Sequence, residues 1–138
     1  MTAPLLLDTC AAIWIAEDAP LSDAAVAAMD EAFDTRQPTF VSPITAWELG
    51  TLVARGQFKS VLPLHRWFER LLKIPGLKLA DMSPSILISS SFLPGEFLRD
   101  PADCILAATA RECGYTLVTR NPALLAYAQE GHLHAIAC

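Results

Sequence analysis

Short apolar runs alternate with helix-like segments along the whole chain. The first run, residues 4–7, is continuously apolar and ends at Asp8, as in a central parallel strand. Start signals, such as a serine, aspartate or asparagine followed by proline, precede several of the helical segments. Strands that alternate with helices indicate an α/β fold with a mainly parallel sheet covered on both faces. Further strands are predicted at 39–41, 77–80, 115–119 and 134–137, and helices at 9–17, 22–35, 43–55, 63–74, 83–90, 101–113 and 121–128.

The composition is apolar for a protein without a membrane segment. Hydrophobic residues make up 53% of the 138 residues and charged residues 18%, and the mean hydropathy is +0.36. No run approaches the length of a membrane span, so the apolar surplus suggests a large interface with a partner or a second copy. With no internal repeat, linker or low-complexity stretch, we expect one domain over residues 1–138.

The four cysteines show no spacing typical of a zinc site or a disulfide framework. They stand at positions 10, 104, 113 and 138, and no two of them form a CxxC pair. Reduced thiols in a cytoplasmic protein are therefore the expectation.

The charge is unevenly distributed. Residues 55–78, here called the basic segment, contain six basic residues and one glutamate, a net charge of +5. The whole chain carries −5, so the remainder carries −10. One interpretation of the predicted helix in this segment is structural: its basic residues form a solvated face over a core stripe of Trp67 and Leu71.

Two aspartates open the predicted helix at 101–113. Asp100 stands at the N-cap position, Pro101 at the first helical position and Asp103 at the third residue of the first turn. Acidic residues there can cap the helix and complement its dipole. Asp103, however, shares a stripe with Leu106 and other apolar residues, and a carboxylate that points inward needs a partner such as a cation.

Glu48 interrupts an otherwise apolar helical stripe. It is spaced four residues from both Ile44 and Leu52. A glutamate in such a position either forms a salt bridge with an arginine or has a functional task.

These acidic residues are expected to meet at one edge of the sheet. In a parallel sheet the carboxyl ends of the strands share an edge with the helix starts that follow them, which brings together Asp8, Asp103 and Asn121, with Glu48 reaching in from its helix. Crowded carboxylates repel one another unless a cation lies among them. Oxygen ligands without histidine or cysteine favour Mg²⁺ or Mn²⁺ over zinc.

Several segments, taken in order, resemble the PIN-domain family, and in particular the VapC-type toxins of toxin–antitoxin pairs. They are Leu5-Leu6-Leu7-Asp8-Thr9, Ser42-Pro43 through Trp47-Glu48-Leu49, Leu93-Pro94-Gly95-Glu96-Phe97 through Asp100-Pro101-Ala102-Asp103 with the apolar residues 105–110, and Leu117-Val118-Thr119-Arg120-Asn121.

The resemblance implies a three-layer α/β/α sandwich and a metal-dependent endoribonuclease. It also implies inhibition by a small antitoxin protein and a homodimer. The acidic site carried over is Asp8, Glu48 and Asp103, which would hold Mg²⁺ or Mn²⁺, with Asp100 adjacent and the hydroxyl of Thr119 beside it. For such an enzyme we expect RNA to contact the basic segment through Lys59, Arg66, Arg70 and Lys73.

Three positions depart from the family pattern. Leu98 stands where a histidine is common, Cys104 where an arginine is common, and Asn121 where a fourth acid is common. Arg99 or Arg120 can take over the phosphate or structural contact of the missing arginine, so both are also predicted to bind RNA. Asn121 can still ligate through its carbonyl or position a water.

Two other functions are weighed against the nuclease. The three departures favour a non-catalytic PIN-like module that binds RNA or a protein. Leu7-Asp8-Thr9 is also similar to the nucleophile strand of haloacid-dehalogenase-like phosphatases, but that class needs a second aspartate where this chain has Cys10.

Overall fold

The computed structural model describes residues 3–95 and 98–138. Glu96 and Phe97, which belong to one of the family-like segments, lie outside the described residues. The elements are β1 (Leu5–Leu7), α1 (Thr9–Ala16), α2 (Asp23–Asp34), β2 (Thr39–Val41), α3 (Pro43–Ala54), α4 (Leu64–Leu72), β3 (Leu77–Leu79), α5 (Pro84–Ser89), α6 (Pro101–Cys113), β4 (Thr116–Thr119), α7 (Pro122–Gln129) and β5 (His134–Ala137).

The strands form one parallel sheet in the order β3-β2-β1-β4-β5. Strand β1 lies at its centre, with Leu7 in register with Val41 on one side and Val118 on the other. A central parallel strand is buried on both faces, which explains why β1 consists of three leucines. The predicted parallel α/β architecture is confirmed.

Alternate residues of β1 pack into two separate cores. Leu5 and Leu7 face a cluster that includes Trp67 and Leu71, whereas Leu6 faces a second cluster that includes Leu106. The period of two in a strand sends neighbouring side chains to opposite faces. Residues of α1, α2 and α4 contribute to the first cluster and residues of α6 and α7 to the second, so helices cover both faces of the sheet as the family resemblance implied.

The start signals in the sequence are the N-caps of the helices they precede. Ser22, Ser42, Ser83, Asp100 and Asn121 each accept a hydrogen bond from a backbone N–H in the first turn. Proline at the first position of α3, α5, α6 and α7 costs no hydrogen bond, because that N–H has no partner within the helix.

No helix in residues 3–95 and 98–138 is both long and apolar enough to cross a membrane. Cys10, Cys104, Cys113 and Cys138 are free thiols in the structure.

Two glycines provide a test of these backbone assignments. Gly114 ends α6 in the left-handed conformation (φ 71°), whereas Gly50 lies within α3, and a Cβ added at either would meet no atom within 4 Å. Gly114→Ala should lower the free energy of unfolding by about 1 kcal/mol, because only the backbone is strained. Gly50→Ala should raise it by about 0.5–1 kcal/mol, because alanine is the better helix former. Urea unfolding measures both, and changes of the same sign would contradict the assignment.

Candidate active site

The predicted acidic residues lie together at the carboxyl edge of the sheet. Asp8 follows β1 directly, Asp100 and Asp103 begin α6, and Glu48 lies in the second turn of α3. They are close enough to interact electrostatically: in addition to burial, the charges of Asp100 and Asp8 raise the pKa of both Glu48 and Asp103. The expectation that the fold gathers these carboxylates is therefore correct.

Asp8 is buried and held from two sides. It is 4% exposed; its Oδ1 accepts the N–H of Ala11 at 2.7 Å, and its Oδ2 accepts the hydroxyl of Thr119 at 2.5 Å. Asp8 is thus the N-cap of α1, and Thr9 is the first helical residue. A residue that stands directly before a helix can reach the N–H three positions on, which is what the Asp8 carboxylate does.

Glu48 is held by a pair of hydroxyl groups. Thr9 Oγ1 donates to Glu48 Oε1 at 2.5 Å and lies 3.1 Å from Thr45 Oγ1. Since the Thr9 proton is directed at Glu48, Thr45 must donate to Thr9. Within the described residues Glu48 forms no ion pair, so the alternative of a salt bridge to an arginine is not what the structure contains.

Asp100, Asp103 and Asn121 form the other side of the cluster. Asp100 Oδ1 accepts the N–H groups of Ala102 and Asp103 at 2.9 and 3.1 Å, so Asp100 caps α6 as predicted. Asn121 Nδ2 donates to Asp103 Oδ2 at 3.0 Å, while Asn121 Oδ1 accepts the N–H of Ala123 at 2.9 Å. The carbonyl oxygen of Asn121, which was predicted as a possible metal ligand, therefore caps α7, and its amide nitrogen faces Asp103.

Burial and mutual repulsion disfavour the charged forms of the carboxylates. Burial raises the pKa of Asp8, although its hydrogen bonds from Thr119 and Ala11 oppose this. Burial, followed by the charge of Asp100, raises the pKa of Asp103 to about 6. The pKa of Glu48 is likewise raised, and burial is the largest cause. In the described parts of the chain no lysine or arginine forms an ion pair with any of these groups.

This donor set fits a hard divalent cation. The groups are oxygen ligands crowded without a neutralising side chain, which suits Mg²⁺ or Mn²⁺. No three His, Cys, Asp or Glu side chains among the described residues lie close enough to surround an ion by themselves. An ion at this edge would therefore bind one or two of the carboxylates directly and keep several waters, as Mg²⁺ commonly does.

The predicted RNA-contacting residues are not part of the acidic cluster. Lys59, Arg66, Arg70 and Lys73 are exposed on α4 and beside it, and Lys59 and Arg70 line a cavity together with Glu17. Their core stripe is as predicted, because Trp67 and Leu71 are buried. Arg99 and Arg120 are also exposed, and each lies next to a member of the acidic edge.

Four residues near the carboxylates were not identified from the sequence. Thr45 lies three residues before Glu48 on the same helical face, and this spacing was a usable signal, as was the position of Thr9 beside Asp8. Burial, and after it the charge of the nearby Asp8, raises the pKa of the Cys10 and Cys138 thiols. Nothing in the local sequence brings position 138 to position 8, because only the pairing of β4 with β5 does so.

The raised pKa of Asp103 predicts that its charge destabilises the metal-free protein. The folded state binds a proton more tightly (pKa about 6) than an unfolded aspartate (3.8), so this penalty develops as pH rises from about 4 to 6 and is complete above pH 6. Asp103→Asn should therefore raise the free energy of unfolding at pH 8 in EDTA, on the order of 1–2 kcal/mol after allowance for partial exposure. The amide can still accept from Asn121.

Asp30→Asn, which removes the same charge from the exposed surface of α2, is the matched control. Denaturant unfolding at pH 4.5 and 8 measures the difference. A gain of equal size in both variants, or one larger at pH 4.5 than at pH 8, would contradict the assignment.

Comparison with known proteins assigns the family. The PIN domain model matches residues 5–130. Ribonuclease VapC22 of Mycobacterium tuberculosis is 32% identical over 121 residues, which cover 88% of each chain.

Two solved structures share the fold. The structure of VapBC2 from Rickettsia felis bound to a promoter DNA fragment has a TM-score of 0.70 at 18% identity, over 96% of this chain and 97% of that one. DNA-bound VapBC from Salmonella typhimurium has a TM-score of 0.66 at 20% identity, over 99% and 98%. With a family match along most of its length and a curated relative above 30% identity, the chain belongs to the PIN-domain family.

Proposed function

We propose that this protein is a metal-dependent endoribonuclease that acts as the toxin of a toxin–antitoxin pair. The observation that carries the proposal is the group of carboxylates at the sheet edge, Asp8, Glu48, Asp100 and Asp103, which have no ion-pair partner among the described residues. Membership of the PIN-domain family and 32% identity to a VapC ribonuclease support the same activity.

Asp8, Glu48 and Asp103 are the proposed ligands of Mg²⁺ or Mn²⁺, with one or two of them bound directly and the remainder through coordinated water. A bound ion would lower the pKa of a coordinated water and stabilise charge on the phosphate and the leaving oxygen. The protein contributes the orientation of the ligands. Thr119 fixes Asp8, Thr9 fixes Glu48 and Asn121 fixes Asp103, each through a neutral donor that leaves the negative charge in place.

Asp100 has a different role from Asp103 in this proposal. Its Oδ1 is engaged with two backbone N–H groups of α6, so it first of all positions the helix that carries Asp103. Its charge also reaches Glu48 and Asp103 and adds to the negative potential of the site.

The basic segment is the proposed RNA-binding surface. Lys59, Arg66, Arg70 and Lys73 are exposed positive side chains on an otherwise acidic chain. Phosphate contacts from such residues supply most of the non-specific affinity for RNA.

Two apolar surfaces are proposed to receive protein partners. An apolar groove of about 440 Å³ lies between α3 and α4 and is proposed to bind an antitoxin segment. Its lining includes Leu49, Gly50, Phe68 and Leu72. Ile88 and Phe92, 63% and 80% exposed, suit a homodimer contact. The VapBC structures that share the fold hold an antitoxin, in line with this proposal. We propose a cytoplasmic location for the complex.

The proposed catalytic site predicts a difference between the two aspartates of α6. Asp103→Asn keeps the hydrogen bond from Asn121 but removes a ligand charge, so cleavage should fall roughly 100-fold or more. The cleavage rate of Asp100→Asn should fall less, because asparagine caps a helix nearly as well as aspartate. Single-turnover cleavage of a structured RNA, measured over a Mn²⁺ titration, compares the two.

The outcomes of that experiment distinguish the roles of Asp103 and Asp100 and distinguish a nuclease from a binding module. Full activity in Asp103→Asn, or a greater loss in Asp100→Asn, would reverse the assigned roles. RNA binding without cleavage by the wild type at any Mn²⁺ concentration would favour the alternative, a non-catalytic PIN-like module.

The proposed RNA surface predicts a change in salt dependence. Replacing Lys59 and Arg70 with alanine removes two phosphate contacts, and the slope of log K against log salt should become less negative by about 1.4, at about 0.7 per contact. Fluorescence anisotropy with a labelled single-stranded RNA in EDTA measures affinity and slope. Unchanged values would mean that the basic segment is a solvated face.

A further inference from the structure

Arg120 is held in place at the carboxyl edge of the sheet. It follows Thr119, whose hydroxyl donates to Asp8. Its guanidinium carbon lies 3.1 Å from the centroid of the Trp14 ring, and its Nη2 donates to the carbonyl of Cys138 at 2.6 Å. A cation–π contact and a hydrogen bond to backbone together fix both the plane and the direction of the guanidinium.

The acceptor of that hydrogen bond is itself anchored. Cys138 donates its N–H to the carbonyl of Thr119 at 3.0 Å, and its own carbonyl also accepts the N–H of Ser22 at 3.2 Å. Cys138 is 6% exposed. The position of the Arg120 head group is therefore set by the pairing of β4 with β5 and by the start of α2, not by a mobile loop.

The guanidinium retains unused binding capacity. Arginine has five N–H donors, and one of them is used in the contacts described. Arg120 is exposed and forms no ion pair with an aspartate or glutamate side chain in the described parts of the chain. An immobilised arginine loses little further entropy on binding, and its planar fork matches a phosphate.

We propose that Arg120, stacked on Trp14, binds an RNA backbone phosphate next to the one that is cleaved. This rests on the proposed nuclease function and names a substrate contact for it. The four carboxylates at this edge repel a phosphate chain, and a fixed cation at the same edge offsets part of that repulsion for the phosphates that do not contact the metal. Arg120 supplies that cation one residue after the threonine that holds Asp8.

The proposal is tested by RNA binding in EDTA, where affinity is separate from cleavage. The probe is a fluorescein-labelled single-stranded RNA, and anisotropy is measured between 50 and about 300 mM salt. Arg120→Gln should weaken binding about tenfold and make the salt slope less negative by about 0.7. Arg120→Lys keeps the charge but loses the stacked fork, and Trp14→Leu frees the guanidinium; both should weaken binding about threefold with little change in slope.

Arg36→Asn is the matched control. It also removes one exposed arginine, but from the turn before β2, at the opposite edge of the sheet. Its backbone has φ 59°, a conformation that asparagine tolerates well. Affinity and slope should equal those of the wild type.

A second readout identifies the group that Arg120 contacts. Neutral methylphosphonate linkages are placed one at a time along the RNA, and at one linkage the difference between wild type and Arg120→Gln should disappear. A difference that persists at every linkage would overturn the phosphate contact in favour of base stacking. Wild-type affinity and slope in Arg120→Gln would make Arg120 purely structural, whereas failure of the wild type to bind RNA would overturn the nuclease proposal and this one together.

Discussion

The unfavourable proximity of several carboxylates is the constraint on which the site depends. Burial and neighbouring charges raise the pKa of Asp103 to about 6. The pKa values of Glu48 and Asp8 are also raised, in both cases first of all by burial. A fold built only for stability would separate such groups or pair them with lysine or arginine. Here the described partners are neutral donors, which orient the carboxylates without cancelling their charge.

The architecture also supplies backbone donors to these carboxylates. A parallel sheet gathers strand ends and helix starts at one edge, so backbone N–H groups of α1 and α6 are available to Asp8 and Asp100. The positive ends of the helix dipoles favour negative charge in the same place. The residues that begin the helices are in this way the residues that form the acidic cluster, and capping and chemistry are not competing explanations for them.

Asn121 stands where the family resemblance led us to expect a fourth acid. With an acid at this position, Asp103 would face a further negative charge. The amide instead donates to Asp103 and opposes part of the rise in its pKa. The two ends of the amide have separate partners, since its oxygen caps α7. The orientation is determined by hydrogen bonding, because a backbone N–H requires the oxygen and a carboxylate requires the NH₂ group.

Local sequence determined most of the secondary structure and the position of the acidic edge. The leucine run before Asp8 and the Ser-Pro, Asp-Pro and Asn-Pro starts are short-range signals, because strand burial and helix capping act within a few residues. The parallel sheet followed from the alternation of strands and helices, and with it the expectation that Asp8, Glu48 and Asp103 meet.

Only the tertiary structure decided the partners of these residues. Thr9 bonds to Thr45 and Glu48 across 36 and 39 positions, and Thr119 reaches Asp8 across 111. The stacking of Arg120 on Trp14 and its bond to Cys138 likewise need three elements to converge. Such contacts depend on strand order and on the direction of each side chain after packing. Hydrophobic periodicity does not encode either of these. It specifies which face of an element is buried, but not which residue of another element lies opposite.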